Sequence, residues 1–197
     1  MRRDRLVRWA LGPPYVVALL LLAAAPVWAD DTPGRAPDYA AAVRAWRTQA
    51  DAGDRDAQFN LGLAYENGLG VAADAREAAH WYREAAEQED RQAQAYLAEM
   101  YSKGLGIPRD DREALAWYRR AAENGHAAAQ YNVGLFYALG RGVEPSPVEA
   151  VAWLTVAEEN GAPKTELRGQ LERNMAAADL DRARRLAADV RRRCHLD

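Results

Sequence analysis

Cysteine is nearly absent, with Cys194 alone among 197 residues. A lone thiol excludes an internal disulfide, so the fold must be held by burial. Serine and histidine are almost as scarce. The serines are Ser102 and Ser146, and the histidines are His80, His126 and His195. Nucleophilic catalysis needs a base beside the nucleophile and a third group to orient that base. The adjacent pair Cys194-His195 sits at the chain end with no such third group, and Ser146 reads as a helix cap. His80 reads as an exposed helix residue, because the matching positions further along are Ala116 and Ala152. Neither His-Glu-x-x-His nor Cys-x-x-Cys spacing occurs, so no zinc site is expected. Gly68-x-Gly70, Gly104-x-Gly106 and Gly140-x-Gly142 lack the third glycine or the lysine of a phosphate loop, and no strand precedes them. No stretch alternates as a strand would. Taken together, no catalytic residue and no cofactor are expected.

Charge is uneven. Residues 30–162 carry 13 basic and 22 acidic side chains, a balance of −9, whereas residues 163–197 carry 9 and 6, a balance of +3. An acidic body opposes a phosphate backbone, which excludes nucleic acid as the expected partner. The basic tail reads as a solvated helix face. Ahead of both lies a three-part leader: Arg2, Arg3, Arg5 and Arg8, then the apolar run Tyr15–Ala25, then Val27-Trp28-Ala29. This layout is that of a signal peptide over residues 1–29, cleaved after Ala29. The run is shorter than the roughly 20 residues of a spanning helix, so no membrane attachment is expected after cleavage. Arg2-Arg3 lacks the following Phe-Leu of twin-arginine export, and no cysteine near the cleavage point offers a lipid anchor. The expected location is periplasmic or secreted, and cleavage moves the net charge from −3 to −6. Residues 30–37, rich in Asp, Pro and Gly, read as a flexible lead.

What is abundant is repetition. Sliding the chain by 36 residues aligns Leu61, Leu97 and Val133, then Gly62, Ala98 and Gly134, then Tyr65, Tyr101 and Tyr137. Gly68, Gly104 and Gly140 follow, with Gly70, Gly106 and Gly142 behind them. Glu77, Glu113 and Glu149 lead to Trp81, Trp117 and Trp153. Each unit reads as two helices. The first carries an inward stripe such as Ala57, Leu61, Ala64 and Tyr65, and stops at a glycine able to turn left-handed. The second opens with Asp74-x-x-Glu77, Asp110-x-x-Glu113 or Ser146-x-x-Glu149, which is the capping-box spacing. The small residues Gly62, Ala98 and Gly134 are expected to let helix axes approach closely, with the tyrosines and tryptophans as core. The expected divisions are a capping half-repeat over 38–55, units over 56–91, 92–127 and 128–162, and capping helices over 163–197. Within the last segment, helices are expected from Pro163 to about Asn174 and from Asp179 to Arg192, with Leu180, Ala183, Ala187 and Val190 on one stripe.

The string Leu61-Gly62-x-x-Tyr65-x-x-Gly68-x-Gly70-Val71, followed by Asp74-x-x-Glu77-Ala78 and Trp81-Tyr82-x-x-Ala85-Ala86, resembles the Sel1-like repeat, a relative of the tetratricopeptide repeat. The second unit departs at Ala98, and the third at Ser146 and Leu154. The resemblance covers about residues 38–162. It implies an all-α, right-handed α/α solenoid of three helix-turn-helix units with helical caps, used as a scaffold or adaptor. Its first helices would line a concave surface that binds a protein or peptide. Residues opposite the inward stripe would then face the partner: Phe59, Leu63, Glu66 and Asn67; Ala95, Glu99, Ser102 and Lys103; Tyr131, Leu135, Ala138 and Leu139. Phe59 and Tyr131 serve equally well as packing between units. Cysteine-rich bacterial relatives, with one disulfide clasping each unit, have been linked to penicillin binding. A hydrolase or β-lactam-binding protein of the envelope is therefore the alternative, and a secreted host-contact factor a second one. The single cysteine here departs from the pattern behind the first alternative.

Overall fold

The computed structural model describes residues 38–194. The expected signal and lead, and His195, lie outside them. Among the described residues the structure is entirely helical. Seven helices of 13 residues come first: α1 (Tyr39–Asp51), α2 (Arg55–Asn67), α3 (Ala75–Glu87), α4 (Arg91–Lys103), α5 (Asp111–Glu123), α6 (Ala127–Leu139) and α7 (Pro147–Glu159). A short α8 (Glu166–Arg173) and a longer α9 (Ala177–Arg193) follow. Helices α2 with α3, α4 with α5, and α6 with α7 form antiparallel hairpins. Each hairpin stacks on the next, α3 on α4 and α5 on α6, giving an α/α solenoid. Helix α1 closes one end against α2. Helix α9 closes the other against α7 and buries Ala183, Ala187 and Val190, while α8 buries no residue.

Local chemistry sets every boundary in the repeats. The first helices end at Gly68, Gly104 and Gly140, all left-handed with φ near +70°, and their N–H groups satisfy the carbonyls of Ala64, Met100 and Phe136. The second helices start at Asp74, Asp110 and Ser146, whose side chains accept from the N–H of Glu77, Glu113 and Glu149. The reciprocal arm of the capping box does not form as expected. The cap N–H groups instead donate to the carbonyls of Tyr65, Tyr101 and Tyr137 at 2.9, 3.0 and 2.9 Å, because the short link folds them back onto the preceding helix. The first helices have caps of their own, Asp54, Asp90 and His126. His126 Nδ1 accepts from the N–H of Ala129 at 3.1 Å.

The core runs through the stack, with Tyr101 and Trp117 touching its two halves. Trp81 and Trp153 are buried and Trp117 is half-buried. A Cβ on Gly62 would stand 2.5 Å from the Tyr82 ring, and one on Gly134 would stand 2.7 Å from Leu154 Cγ. These glycines therefore admit the side chain of their own hairpin partner. The second loop glycines do more than turn. A Cβ on Gly70, Gly106 or Gly142 would strike the backbone of Tyr39, Ala75 or Asp111 within about 2.5 Å, so each link rests on the first turn of the second helix one unit back.

Polar groups repeat too. Gln58, Gln94 and Gln130 are buried and donate to the carbonyls of Ala50, Ala86 and Ala122 at 3.3, 3.2 and 3.1 Å. Each accepts in turn from Gln88, Asn124 or Asn160 thirty residues on. Arg47, Arg83 and Arg119 donate to the phenol oxygens of Tyr65, Tyr101 and Tyr137. Glu89 occupies a left-handed turn position that is glycine at 53, 125 and 161. Its carboxylate accepts from Gln94, Arg120 and Asn124, which draws it below the ordinary carboxylate range, Arg120 contributing most. Cys194 is buried, its thiol 3.3 Å from the carbonyl oxygen of Ala122.

Candidate functional site

The first helices α2, α4 and α6 lie side by side, and the twelve expected face residues occupy four equivalent positions on them. The units do not present these positions alike. In α2, Phe59 is 7% exposed and Leu63 is 2% exposed, so both belong to the core rather than to an open face. Phe59 packs its ring 5.8 Å from Tyr82 and 5.8 Å from Tyr96, the latter contributed by the next unit. Of the two roles open to it, packing between units is the one it takes. Glu66 and Asn67 are exposed at the end of α2, and Asn67 donates to the carbonyl of Leu63 in its own helix at 2.9 Å.

On α4, Ala95 and Glu99 are half-buried and Lys103 is exposed, and the Lys103 ammonium pairs with Glu99. Ser102 is half-buried, and Arg141 donates to its Oγ at 3.0 Å while also pairing with Asp111. A guanidinium cannot take the hydroxyl proton, so this setting does not activate Ser102 as a nucleophile. On α6, Tyr131, Leu135 and Ala138 are half-buried and Leu139 is 59% exposed. These four form one stripe at i, i+4, i+7 and i+8.

Sequence reasoning placed Tyr82 in the repeat motif but did not connect it, or Tyr96 and Tyr118, with this face, behind which all three stand. Tyr82 donates to Glu66 Oε2 at 2.6 Å, and Tyr96 stacks on Tyr82 at 5.1 Å with 20° between the rings. Burial raises the Tyr82 phenol well above its ordinary value, and the Glu66 charge adds to this. Tyr96 and Tyr118 rise for the same first reason, with nearby carboxylates contributing. Burial lifts Glu66; the Tyr82 hydrogen bond opposes this, and Glu99 adds to it. The available signal was departure from the repeat, since Tyr96 replaces the Asn60 and Asn132 of its neighbours.

The described residues also form two clefts around α9. The smaller, about 490 Å³, is lined by Arg168, Glu172, Arg184 and Arg191 with Val151 and Leu180. Arg168 is paired with Glu158 and Glu172, Arg184 with Asp181 and Arg191 with Glu159, so these cations serve the cap.

Stacked helical hairpins with a half-open face on their first helices define a repeat scaffold. The Sel1 repeat model matches residues 55–90, 91–126 and 127–161, and the chain belongs to the Sel1 repeat family. Its unit bounds fall one residue before those expected from the spacing. Among solved structures, a Sel1 repeat protein from Oxalobacter formigenes is 35% identical, with 83% of this chain and 69% of that one covered and a TM-score of 0.66. A protective antigen of uropathogenic Escherichia coli with the same kind of repeat fold is 27% identical, TM-score 0.59; 91% of this chain covers 44% of that one, less than half its length. Cysteine rich protein B of Helicobacter pylori is 16% identical over 68% of this chain and 94% of its own, TM-score 0.52, and shares the fold alone. No curated protein matches the chain.

Proposed function

We propose that this chain is an exported scaffold that binds a protein or peptide along the face of its first helices and performs no reaction of its own. The observation that carries the reading is the stripe Tyr131, Leu135, Ala138 and Leu139. In α2 the corresponding apolar positions Phe59 and Leu63 are closed, whereas on α6 the stripe stays partly open and ends in Leu139, the most exposed large apolar side chain described. Open apolar side chains three and four residues apart suit the apolar edge of a helix or peptide. The leader and the likeness to a bacterial protective antigen support an envelope or extracellular setting. A processed chain recovered from its source with Asp30 as first residue is the outcome this setting predicts.

The binding reading is tested by capture from envelope extract. Leu135→Asp with Leu139→Asp should abolish capture of the partner while leaving the helical circular dichroism unchanged. Capture by the folded double variant at the parent level would remove this face from consideration. The hydrolase alternative draws no support from the Ser102 site, and turnover of a reporter β-lactam lost on Ser102→Ala would reinstate it.

A further inference from the structure

The first helices differ between units at three positions. Tyr96 stands where the neighbours have Asn60 and Asn132, Glu99 where they have Leu63 and Leu135, and Glu66 where they have Ser102 and Ala138. All three departures meet at one junction, between the first and second units. Tyr82 bridges them, donating to Glu66 Oε2 at 2.6 Å and stacking with Tyr96, while Phe59 backs both rings. Glu99 lies near enough for its charge to act on Glu66 and on the Tyr82 and Tyr96 phenols. Lys103, paired with Glu99, is the cation of the group. Lys103 pairs with Glu99 and Tyr82 donates to Glu66, so two carboxylates stand against an aromatic wall with one ammonium to balance their charge, leaving one negative charge in excess. That excess is left for a partner to neutralise. Burial and the Glu99 charge work against ionised Glu66, while the Tyr82 hydrogen bond and the Lys103 charge work for it, and neither Leu63 nor Ala138 at the equivalent positions brings a charge.

An incoming cation balances that charge. A guanidinium fits better than an ammonium, because its plane lies on a tyrosine ring while its edge donates to carboxylates on either side. The acidic body, with 22 acidic against 13 basic side chains over residues 30–162, steers a basic partner toward it. We propose that the junction of Glu66, Tyr96 and Glu99 is a docking notch for an arginine side chain of the bound protein or peptide. The inference rests on the reading of the first-helix face as a docking surface, and it names the chemistry of the partner there.

The test uses N-acetyl-arginine methylamide and its neutral citrulline counterpart, each titrated into the purified protein and followed by the ring signals of Tyr82 and Tyr96. The arginine probe should shift these signals saturably, with an affinity on the order of 10 mM for one isolated side chain. Glu66→Gln and Glu99→Gln should each weaken it by about threefold to fivefold, as for a partly exposed ion pair. Lys103→Gln, which frees Glu99, should tighten it. Citrulline should produce no saturable shift, and Glu144→Gln, in an exposed loop, should change nothing. Absence of saturation with arginine, equal shifts with citrulline, or indifference to both glutamate variants would overturn the notch. An equal response to N-acetyl-lysine methylamide would overturn the assignment to arginine. If the probe fails while partner capture still depends on Leu135 and Leu139, the notch alone falls. If the probe binds and capture ignores those leucines, the stripe falls instead.

Discussion

His126 shows how one side chain sets the conditions under which a joint holds. Its counterparts Asp54 and Asp90 cap their helices with carboxylates, but His126 caps α6 with a ring nitrogen that accepts only while neutral. Burial lowers its affinity for a proton below the usual value of 6.5, and the nearby Arg91 lowers it further against a smaller opposing pull from Asp90. The unfolded chain therefore binds the proton more readily than the folded one. The stability contributed by the neutral ring is full above about pH 6.5 and is lost as pH falls through the lower folded value. His126→Asp should make the melting temperature less sensitive to acid, so that the gap between variant and parent widens in the variant's favour from about pH 7 to pH 5. A constant gap would count against the capping role. Gln94 makes a different point. It is fully buried, donates to Ala86 and Glu89, and accepts from Asn124. Gln94→Leu keeps the volume but leaves those partners without it, and urea unfolding should show a loss of about 1–3 kcal/mol. Glutamine recurs at 58, 94 and 130, yet glutamine is so often exposed that its spacing alone did not mark it as core.

Between elements, the hairpins are governed by what the small residues admit. Gly134 lies against Leu154 and the carbonyl of Ala150, so α6 and α7 are set by the absence of a side chain. Gly134→Leu should lower stability by roughly 1–3 kcal/mol or more through overpacking, and an unchanged melting curve would show that the pair relaxes freely. This packing was legible beforehand because the small residue recurs in register with the inward Leu or Val. The second-helix starts were legible for the same reason, Asp74, Asp110 and Ser146 being typical caps at equal spacing. The first-helix starts were missed although Asp54, Asp90 and His126 share that spacing, since histidine is an uncommon cap. The candidate face was only partly legible. In α2, every residue from Ala57 to Tyr65 is buried, so an apolar position opposite the inward stripe says nothing about which side stays open. The pairing of Glu66 with Tyr82 spans two helices, and a one-dimensional pattern carries no signal for it.

At the scale of the molecule, stability should behave as a sum over units and the contacts between neighbours. A second copy of residues 91–126 placed after His126 should fold, add helical signal in proportion to its length and raise the melting temperature by about 2–8 °C. Loss of cooperative melting in that longer protein would show that the units are not interchangeable. The caps differ in kind from the units they close: α9 ties itself down through Arg191 to Glu159 and Cys194 to Ala122, reaching across two hairpins. The resting place of Gly70, Gly106 and Gly142 explains why the interior tolerates so much variety. Each link sits on a peptide backbone, which is the same whatever residue carries it, so the joinery is indifferent to spelling. Tyr39, Ala75 and Asp111 serve as equivalent seats although they share no chemistry. The outer text of each unit is thereby free to be rewritten, and a lineage can edit what the array grips one unit at a time without relearning how to fold.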